Sequence, residues 1–271
     1  SRVHPPPDGG MPMTFESNLE NFLATARWTG ADDAIVAAAA VCQQPRLVVS
    51  GRLASGKDTV AELAMESYGC QSAVRVSFAT ALRREVDDIL DLVRRDGLEH
   101  ANDIVATYAG LTTERAQIAA NLVCEALSDD LTVHSRMRTR EIRLLLQEWG
   151  TGIRRASDPD YWVKRSMREV IELLAADRPV YVTDARFINE VEPARRLGFL
   201  AVRLEVELAV RAARLRARDG LGIDPAAENH PSEMELENYR GFDLWVDNSG
   251  TLDASTGDVV RAMRDRFPQH V

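Results

Sequence analysis

The 271-residue sequence predicts an α/β fold in which a parallel five-stranded sheet is flanked by helices. Short apolar segments alternate along the chain with longer segments of helical periodicity. Most of the apolar segments carry no regular polar face, which is typical of strands that are covered on both sides, whereas AVRVSF at 73–78 alternates. The expected strands are 46–50, 73–78, 179–184, 199–206 and 242–248.

Helices are expected before, between and after these strands, because glycines stand where helical spacing stops. Gly69, Gly150 and Gly198 are each placed to end a helix, and a polar loop, RRASDPDY, should follow Gly150. The expected helices are 17–42, 59–69, 80–128 with breaks near Gly97 and Gly110, 138–149, 161–176, 188–197, 207–219 and about 254–266.

The domain organisation expected from composition is a single α/β domain preceded by an extension. Residues 1–15 should form a disordered tail or an appended segment, because their start is rich in Pro and Gly. Residues 16–45 should form an N-terminal helical extension, and 46–271 the α/β domain.

Bulk properties exclude several classes of partner. The net charge of −9 argues against nucleic acid and anionic membrane surfaces as partners. The chain contains no run of about 18 apolar residues, so no membrane span is expected. Its three cysteines form no metal-binding pattern and suit a reducing cytoplasm.

The segment GRLASGKDTV at 51–60 carries the strongest functional signal. Gly51, Gly56 and Lys57 match the phosphate-loop pattern G-x-x-x-x-G-K-[ST], and a strand before and a helix after are expected. An ordinary Gly/Ser turn is the alternative, but the context favours a loop whose amides and helix end surround a phosphate. Lys57 would then reach the β- and γ-phosphates.

The residues after Lys57 depart from that pattern. Asp58 stands where a magnesium-binding hydroxyl is expected, and the hydroxyl follows one residue later, at Thr59. Asp58 is either an acid that favours the start of the helix or a partner for Mg²⁺-bound water or for an arginine. Both readings stay open.

A second signal is the strand VYVTD, which ends at Asp184. An acid at the end of an apolar strand, downstream of a phosphate loop, is typical of a residue that helps to hold Mg²⁺. Taken alone, such an acid would more often cap a helix.

Several segments together resemble the phage deoxynucleoside monophosphate kinases, a branch of the P-loop nucleotide kinases. The similarity runs from about residue 46 to 253, and some nucleotide kinases share the late hydroxyl in a Gly-Lys-Gly-Thr loop. The segments that carry the resemblance are GRLASGKDT (51–59), SFATALR (77–83), LLLQEWGTGIRR (144–155), YW (161–162), TDARFINE (183–190), HPSE (230–233) and VDNSGTL (246–252).

The resemblance implies a three-layer P-loop kinase fold with a helical acceptor-binding lobe at about 84–175 and a lid at about 211–233. It implies transfer of the γ-phosphate of ATP, with Mg²⁺, to a deoxynucleoside monophosphate in the cytoplasm. A homodimer is compatible with it.

The resemblance also implies roles for individual residues. Catalytic residues would be Lys57, Asp184, Arg186, Arg211 and Arg214. ATP would contact Gly51, Leu53, Ala54, Ser55, Gly56, Lys57, Asp58, Thr59, Arg218 and Asn248. The acceptor would contact Phe78, Arg83, Gln147, Gly150, Thr151, Arg154, Arg155, Trp162 and Glu190. His230 and Glu233 would belong to the lid, and Mg²⁺ would lie near Thr59, Asp184 and Asp58.

One segment departs from the family. Related sequences often read Asp-Pro-Leu-Lys where this chain reads Thr80-Ala81-Leu82-Arg83, which puts acceptor contacts there in question. Arg154, Arg155 and Arg186 are favoured as ligand contacts because each follows a Gly turn or a strand end, where loop residues reach ligands. The alternative for each arginine is a weak surface ion pair, and for Trp162 a place in the core.

Two other functions remain open from the sequence. One is a P-loop kinase for another acceptor, such as a small metabolite or a modified base in DNA. The other is a nucleotide-binding switch or ATPase. A monophosphate acceptor is already anionic and needs no general base, whereas a hydroxyl acceptor would require one, with Asp58 and Asp184 as candidates.

Overall fold

The computed structural model describes residues 29, 33–128, 140–220, 223 and 231–268. The expected tail at 1–15, most of the extension at 16–45, the lid residue His230 and most of the loop before it lie outside these residues. Among the residues that are described, no helix is both long and apolar enough to cross a membrane.

The elements follow the expected alternation. The strands are β1 Arg46–Gly51, β2 Val74–Val76, β3 Val180–Val182, β4 Leu200–Glu205 and β5 Leu244–Asp247. The α-helices are α1 Asp33–Ala40, α2 Lys57–Tyr68, α3 Phe78–Asp96, α4 Ala101–Ala109, α5 Thr113–Ser128, α6 Arg140–Gln147, α7 Tyr161–Ala175, α8 Ile188–Arg196, α9 Leu208–Asp219, α10 Pro231–Met234 and α11 Leu252–Arg266. A 3₁₀ turn, Leu98–His100, precedes α4, and a π-helical segment, Glu148–Arg155, follows α6.

The described strands form one parallel sheet in the order β2-β3-β1-β4-β5. At its centre, Val48 of β1 lies opposite Val182 of β3 and Ala201 of β4. Ligands of open parallel sheets bind beyond the carboxyl ends of the strands, so the end of β1 is the place where a site is expected. The predicted α/β class with a five-stranded parallel sheet is confirmed.

Both faces of the sheet are covered. Leu47 and Val49 of β1 pack in one apolar cluster with Met65 of α2 and Met263 of α11. Val48 points to the opposite face because side chains alternate along a strand, and it is completely buried as well. This two-sided burial explains why the strands lack a polar face in the sequence.

The chain divides into two compact units. The sheet unit contains the described residues up to Ser77 and from Ser166 onwards, and the helical unit is Phe78–Arg165. The helical unit follows β2 and precedes β3 in the chain. It begins and ends earlier than the lobe expected at about 84–175, whose acceptor-binding role remains a prediction. Its core includes Val86, Ile89, Val105, Ala119, Leu145 and Trp149.

The expected helix end at Gly150 was wrong, and the polar loop expected as RRASDPDY is reduced to residues 158–160. The helix widens into a π-helical segment that continues to Arg155. A Cβ atom at Gly150 would lie 3.0 Å from Leu82 Cδ2, so this glycine permits close packing against α3 rather than a turn. Short π-helical segments within helices often occur at functional sites.

Candidate functional site

The glycine loop lies at the carboxyl end of the central strand. β1 ends at Gly51, and α2 begins at Lys57. Gly56, immediately before α2, has a left-handed backbone with a φ of +81° and provides no side-chain cap. The first amide groups of a helix have no partner within the helix, so this end of α2 offers amides and a positive dipole to an anion.

Both glycines of the motif are required by close contacts. A Cβ atom at Gly51 would lie 2.5 Å from Ser55 Oγ and 3.1 Å from the Leu204 carbonyl oxygen. A Cβ atom at Gly56 would lie 2.8 Å from Asn248 Nδ2. The loop is therefore compact, and its neighbours leave no room for side chains at these positions.

Side chains from two distant elements hold the loop through its carbonyl groups. Asn248, after β5, donates from Nδ2 to the Ser55 carbonyl at 2.8 Å. Arg214 of α9 donates to the same oxygen at 3.4 Å and to the Asn248 carbonyl at 2.8 Å. Arg211 donates to the Leu53 carbonyl at 3.4 Å. Phosphates accept hydrogen bonds, so these carbonyls are not the groups that a phosphate would use.

These contacts bear on residues assigned to the nucleotide from the sequence. Arg211 and Asn248 are buried, and each of them, like Arg214, donates to a carbonyl group of the loop. Arg218 is exposed in the last turn of α9. Their roles toward a nucleotide remain predictions, and the observed geometry gives Arg211, Arg214 and Asn248 a role in shaping the loop.

Lys57 is the buried cation of the loop. Its side chain is 9% exposed. Burial lowers the pKa of Lys57 below its ordinary value, and the positive charge of Arg186 lowers it further. The charges of Asp58 and Asp184 oppose that shift. A cation that is poorly solvated gains more from a phosphate than an exposed one does.

Asp58 has two hydrogen-bond partners. Its Oδ1 atom accepts from Thr183 Oγ1 at 2.5 Å and from the Arg75 guanidinium at 2.5 Å. Thr183 follows β3 and Arg75 lies on β2, so Asp58 ties the start of α2 to two strands. Of the two readings open from the sequence, the geometry favours partnership with an arginine. Thr59 is exposed on the first turn of α2.

Asp184 lies two residues after β3 and is positioned by a hydroxyl. Ser77, immediately after β2, donates from Oγ to Asp184 Oδ2 at 2.6 Å. The carboxyl ends of these paired strands therefore bring together two oxygen-bearing side chains. In the described part of the chain, no group of three or more His, Cys, Asp or Glu residues could hold a metal ion.

Arg186 and Glu190 follow in the same segment. Burial lowers the pKa of Arg186 below its ordinary value, and its guanidinium pairs with Glu233. The buried Glu190 carboxylate accepts from the amides of Arg186 and Phe187 at 2.7 and 3.2 Å. Glu190, which the sequence assigned to the acceptor, thus stabilises the start of α8.

A charged network joins Arg52 of the loop to β4. Arg203, on β4, is 4% exposed and donates to Ser50 Oγ at 3.1 Å and to Glu237 Oε1 at 2.7 Å. Arg52 donates to the same Glu237 oxygen at 2.8 Å. Burial acts to raise the pKa of Glu237, but the hydrogen bonds and charges of Arg52 and Arg203 lower it below the ordinary value.

The helical unit contains a separate charged cluster around Glu85. This carboxylate is buried and accepts from Trp149 Nε1 at 3.0 Å, Tyr161 Oη at 2.5 Å and Arg154 Nε at 2.9 Å. Arg165 lies 3.1 Å from the same carboxylate. Four donors thus converge on one buried acid, which is how a buried charge is stabilised. We call this set the Glu85 cluster.

Arg154 is enclosed by aromatic rings. Its guanidinium carbon lies 5.9 Å from the ring centroid of Tyr108, 5.5 Å from that of Trp149 and 4.9 Å from that of Tyr161. It also donates to the Tyr108 carbonyl at 3.4 Å. Burial, followed by the negative charge of Asp88, raises the pKa of Tyr108 to about 12. The expectation that Arg154 lies in a loop was wrong, since it lies in the π-helical segment, and its contact with a ligand remains a prediction.

The remaining acceptor residues expected from the sequence differ in exposure. Arg83, Gln147 and Thr151 are exposed, and Arg155 is half-buried. Phe78, Gly150 and Trp162 are buried, and Trp162 donates from Nε1 to the Gly150 carbonyl at 3.1 Å. Trp162 therefore has the core position that the sequence offered as its alternative, and acceptor contacts of all these residues remain predictions.

Several residues near these sites were not singled out by the sequence, among them Arg75, Ser77, Thr183, Glu85 and Glu237. Arg75 and Ser77 belong to the alternating strand segment AVRVSF, where polar residues at the end of a strand were the available signal. Thr183 directly precedes Asp184. Glu85 and Glu237 gave no local signal, because each is defined by partners far along the chain.

Comparison with known proteins gives little beyond this geometry. No protein-family model matches the chain, and no curated protein matches it. Among solved structures, the chain is similar to the crystal structure of a gluconokinase from Sinorhizobium meliloti 1021. The identity is 17% and the TM-score 0.40, over 83% of this chain and 94% of that one.

Proposed function

We propose that the protein is a cytoplasmic phosphotransferase that moves the γ-phosphate of ATP, with Mg²⁺, to a deoxynucleoside monophosphate. One observation carries the proposal. A glycine loop without a capping side chain joins the central strand to α2. The loop carries a buried lysine, Lys57, whose pKa is shifted by the charges of Asp184 and Arg186. This is the arrangement that P-loop enzymes use to hold nucleotide phosphates.

On this proposal the donor phosphates bind at the start of α2. The amides of the loop and the helix end take the inner phosphates, and Lys57 reaches the outer ones. Arg186 provides a second cation for the charge that spreads over the migrating phosphoryl group. Asn248 and Arg214 keep the loop in shape through its carbonyls, so the amides are positioned before the nucleotide arrives.

The residues present fit a nucleotide-bound Mg²⁺. Such an ion usually takes one or two carboxylates, water and the substrate phosphates as ligands, rather than an all-protein cage. We assign the carboxylate ligand to Asp184, which accepts a hydrogen bond from Ser77, and the hydroxyl ligand to Thr59. When bound, the ion would neutralise charge on the phosphates. Asp58 would act through Thr183 and Arg75 rather than as a ligand.

The acceptor class is supported by the resemblance to deoxynucleoside monophosphate kinases. A monophosphate is largely ionised at neutral pH, so the site needs cations and position rather than a general base. We assign acceptor contacts first to the exposed side chains of the helical unit, Arg83, Gln147 and Thr151, with Arg155. Arg154, enclosed in the Glu85 cluster, would support them indirectly.

The test is ADP release from ATP and Mg²⁺ with each of the four deoxynucleoside monophosphates and the four ribonucleoside monophosphates. The proposal predicts turnover that depends on at least one deoxynucleotide. ATP hydrolysis that ignores every monophosphate would indicate a switch or ATPase instead. Turnover that requires DNA or a small metabolite would indicate a kinase for another acceptor.

A further inference from the structure

The carboxylate of Glu233 lies directly against the glycine loop. Glu233 belongs to α10, and its side chain is 9% exposed. Its Oε2 atom accepts from the backbone amide of Leu53 at 2.9 Å, and its Oε1 atom pairs with the Arg186 guanidinium. One buried anion therefore joins a loop amide to a cation that follows β3.

These two partners are the kinds of group that bind phosphate. Backbone amides of glycine loops and arginine guanidinium groups are the usual donors to phosphate oxygens. Arg186 also acts electrostatically on Lys57, because its charge lowers the pKa of that lysine. Glu233 thus pairs with one of the two cations proposed to meet the outer phosphates of the donor, and the charge of that cation acts on the other.

Neighbouring acids of the same segment bind different groups. Glu235 accepts from the Ile188 amide at 2.9 Å, and Glu237 pairs with Arg52 and Arg203. Those partners belong to a helix start and to the network around β4. Only the Glu233 contact, among these three, engages both the loop amide and Arg186. A contact whose role was only to hold α10 in place would require neither the Leu53 amide nor the Arg186 guanidinium.

We propose that Glu233 is an internal anion that occupies the terminal-phosphate position of the donor site and is displaced by a nucleoside triphosphate. This inference rests on the proposed function of the loop. A triphosphate must compete with the carboxylate for Leu53 and Arg186, whereas a diphosphate, lacking the terminal group, need not. Glu233 is then the residue that sets the relative affinity for ATP and ADP, and its release frees Arg186 for the transferred group.

The experiment measures binding of a non-hydrolysable ATP analogue and of ADP, each with Mg²⁺, by calorimetry. Removing the competing charge in Glu233→Gln should tighten analogue binding about tenfold and leave ADP binding within about twofold, because less of the protein is held in the occupied form. Glu235→Gln is the matched control: it removes the same charge two residues away and should change neither affinity.

A second variant covers the case in which Glu233→Gln folds poorly. Glu233→Asp keeps the charge but shortens the side chain by one methylene, so it cannot reach both partners and should also tighten analogue binding. Equal or weaker analogue binding in the folded variant or variants would overturn the inference. Equal tightening in Glu235→Gln, or a fall in kcat with unchanged affinity, would overturn it too, the latter by showing that Glu233 only positions Arg186.

The proposed function and this inference fail in distinguishable ways. If the unaltered protein binds neither nucleotide, the proposed function fails. If it binds both and Lys57→Ala abolishes that binding, the loop assignment holds. If Glu233→Gln then shows the same preference for the analogue over ADP as the unaltered protein, only the competition between Glu233 and the terminal phosphate is rejected.

Discussion

The glycine loop and the Glu85 cluster both gather charged side chains, but they neutralise them differently. In the Glu85 cluster, one buried carboxylate accepts from Arg154, Trp149 and Tyr161, so the charge is matched within the helical unit. At the loop, Lys57 is buried, yet within the described residues no salt bridge to a carboxylate is found for it.

The degree of neutralisation distinguishes a structural arginine or lysine from one that binds a ligand. A buried cation whose partners are complete has a structural role, because any ligand would have to replace good internal bonds. A buried cation with incomplete neutralisation and a lowered pKa is a candidate for binding an anion. We therefore expect a structural role for Arg154 and an anion-binding role for Lys57, and the acceptor contact of Arg154 remains a prediction.

The largest expected effect comes from removing the loop cation. Lys57→Ala should lower the rate of phosphate transfer by on the order of 10³-fold, about 4 kcal/mol of transition-state stabilisation. The melting temperature should not fall, because the lysine is a desolvated charge without a salt bridge. Lys164→Ala, which removes a lysine paired with Asp158, is the control, and normal turnover of Lys57→Ala would show that the loop is not the donor site.

The next effect tests the Glu85 cluster. Glu85→Gln leaves Arg154 buried without its counter-charge, which should cost about 3 kcal/mol of unfolding free energy. Urea unfolding followed by tryptophan fluorescence measures it, since Trp149 belongs to the cluster. Glu114→Gln, at an exposed position in the same unit, should change stability by less than about 0.5 kcal/mol. Equal stability of the two variants would mean that the cluster is not structural.

A smaller effect separates backbone strain from crowding in the loop. Gly56→Ala places a Cβ atom 2.8 Å from Asn248 Nδ2 at a φ of +81°, and should cost about 2 kcal/mol and weaken nucleotide binding. Gly110→Ala, at a φ of +68° with nothing within 4 Å of the added Cβ, carries the strain without the crowding. It should cost about 1 kcal/mol and leave nucleotide binding unchanged. Identical behaviour of the two variants would contradict the close contact.

The smallest effect concerns the network beside the loop and depends on pH. Because the pKa of Glu237 is lowered in the folded protein, its stabilising contribution is present above the unfolded pKa and is lost as the pH falls through the folded pKa. Glu237→Gln should therefore cost about 1 kcal/mol at pH 7 and progressively less in acid. Unfolding curves at several pH values measure this, and a cost that is constant down to acid pH would rule out the charged pairing.

Local patterns in the sequence predicted the sheet and the loop. All five strands lie within the expected segments, give or take one residue, because each is a short apolar run covered on both faces. α2 follows the glycine motif and ends before Gly69, as predicted from a glycine that takes a left-handed conformation, with a φ of +105°. These features depend on residues that are neighbours in the chain, so local sequence patterns predict them.

The unpredicted features depend on partners that are distant in the sequence. Thr183 and Asp58 are 125 positions apart, and Arg154 and Glu85 are 69 positions apart. No spacing pattern in the sequence predicts a pair of residues so far apart. The π-helical segment was missed because Gly150 was interpreted as a helix end, whereas its missing side chain admits Leu82. Packing between elements decided both cases.

Phosphate transfer is measured by following labelled γ-phosphate from ATP, with Mg²⁺ and a mixture of deoxynucleoside monophosphates, in the unaltered protein and in Lys57→Ala. We predict that the label appears in a deoxynucleoside diphosphate with the unaltered protein and does not with Lys57→Ala. Label that appears only as inorganic phosphate, or that reaches a diphosphate equally well in both proteins, would contradict a phosphate loop that serves a nucleotide kinase.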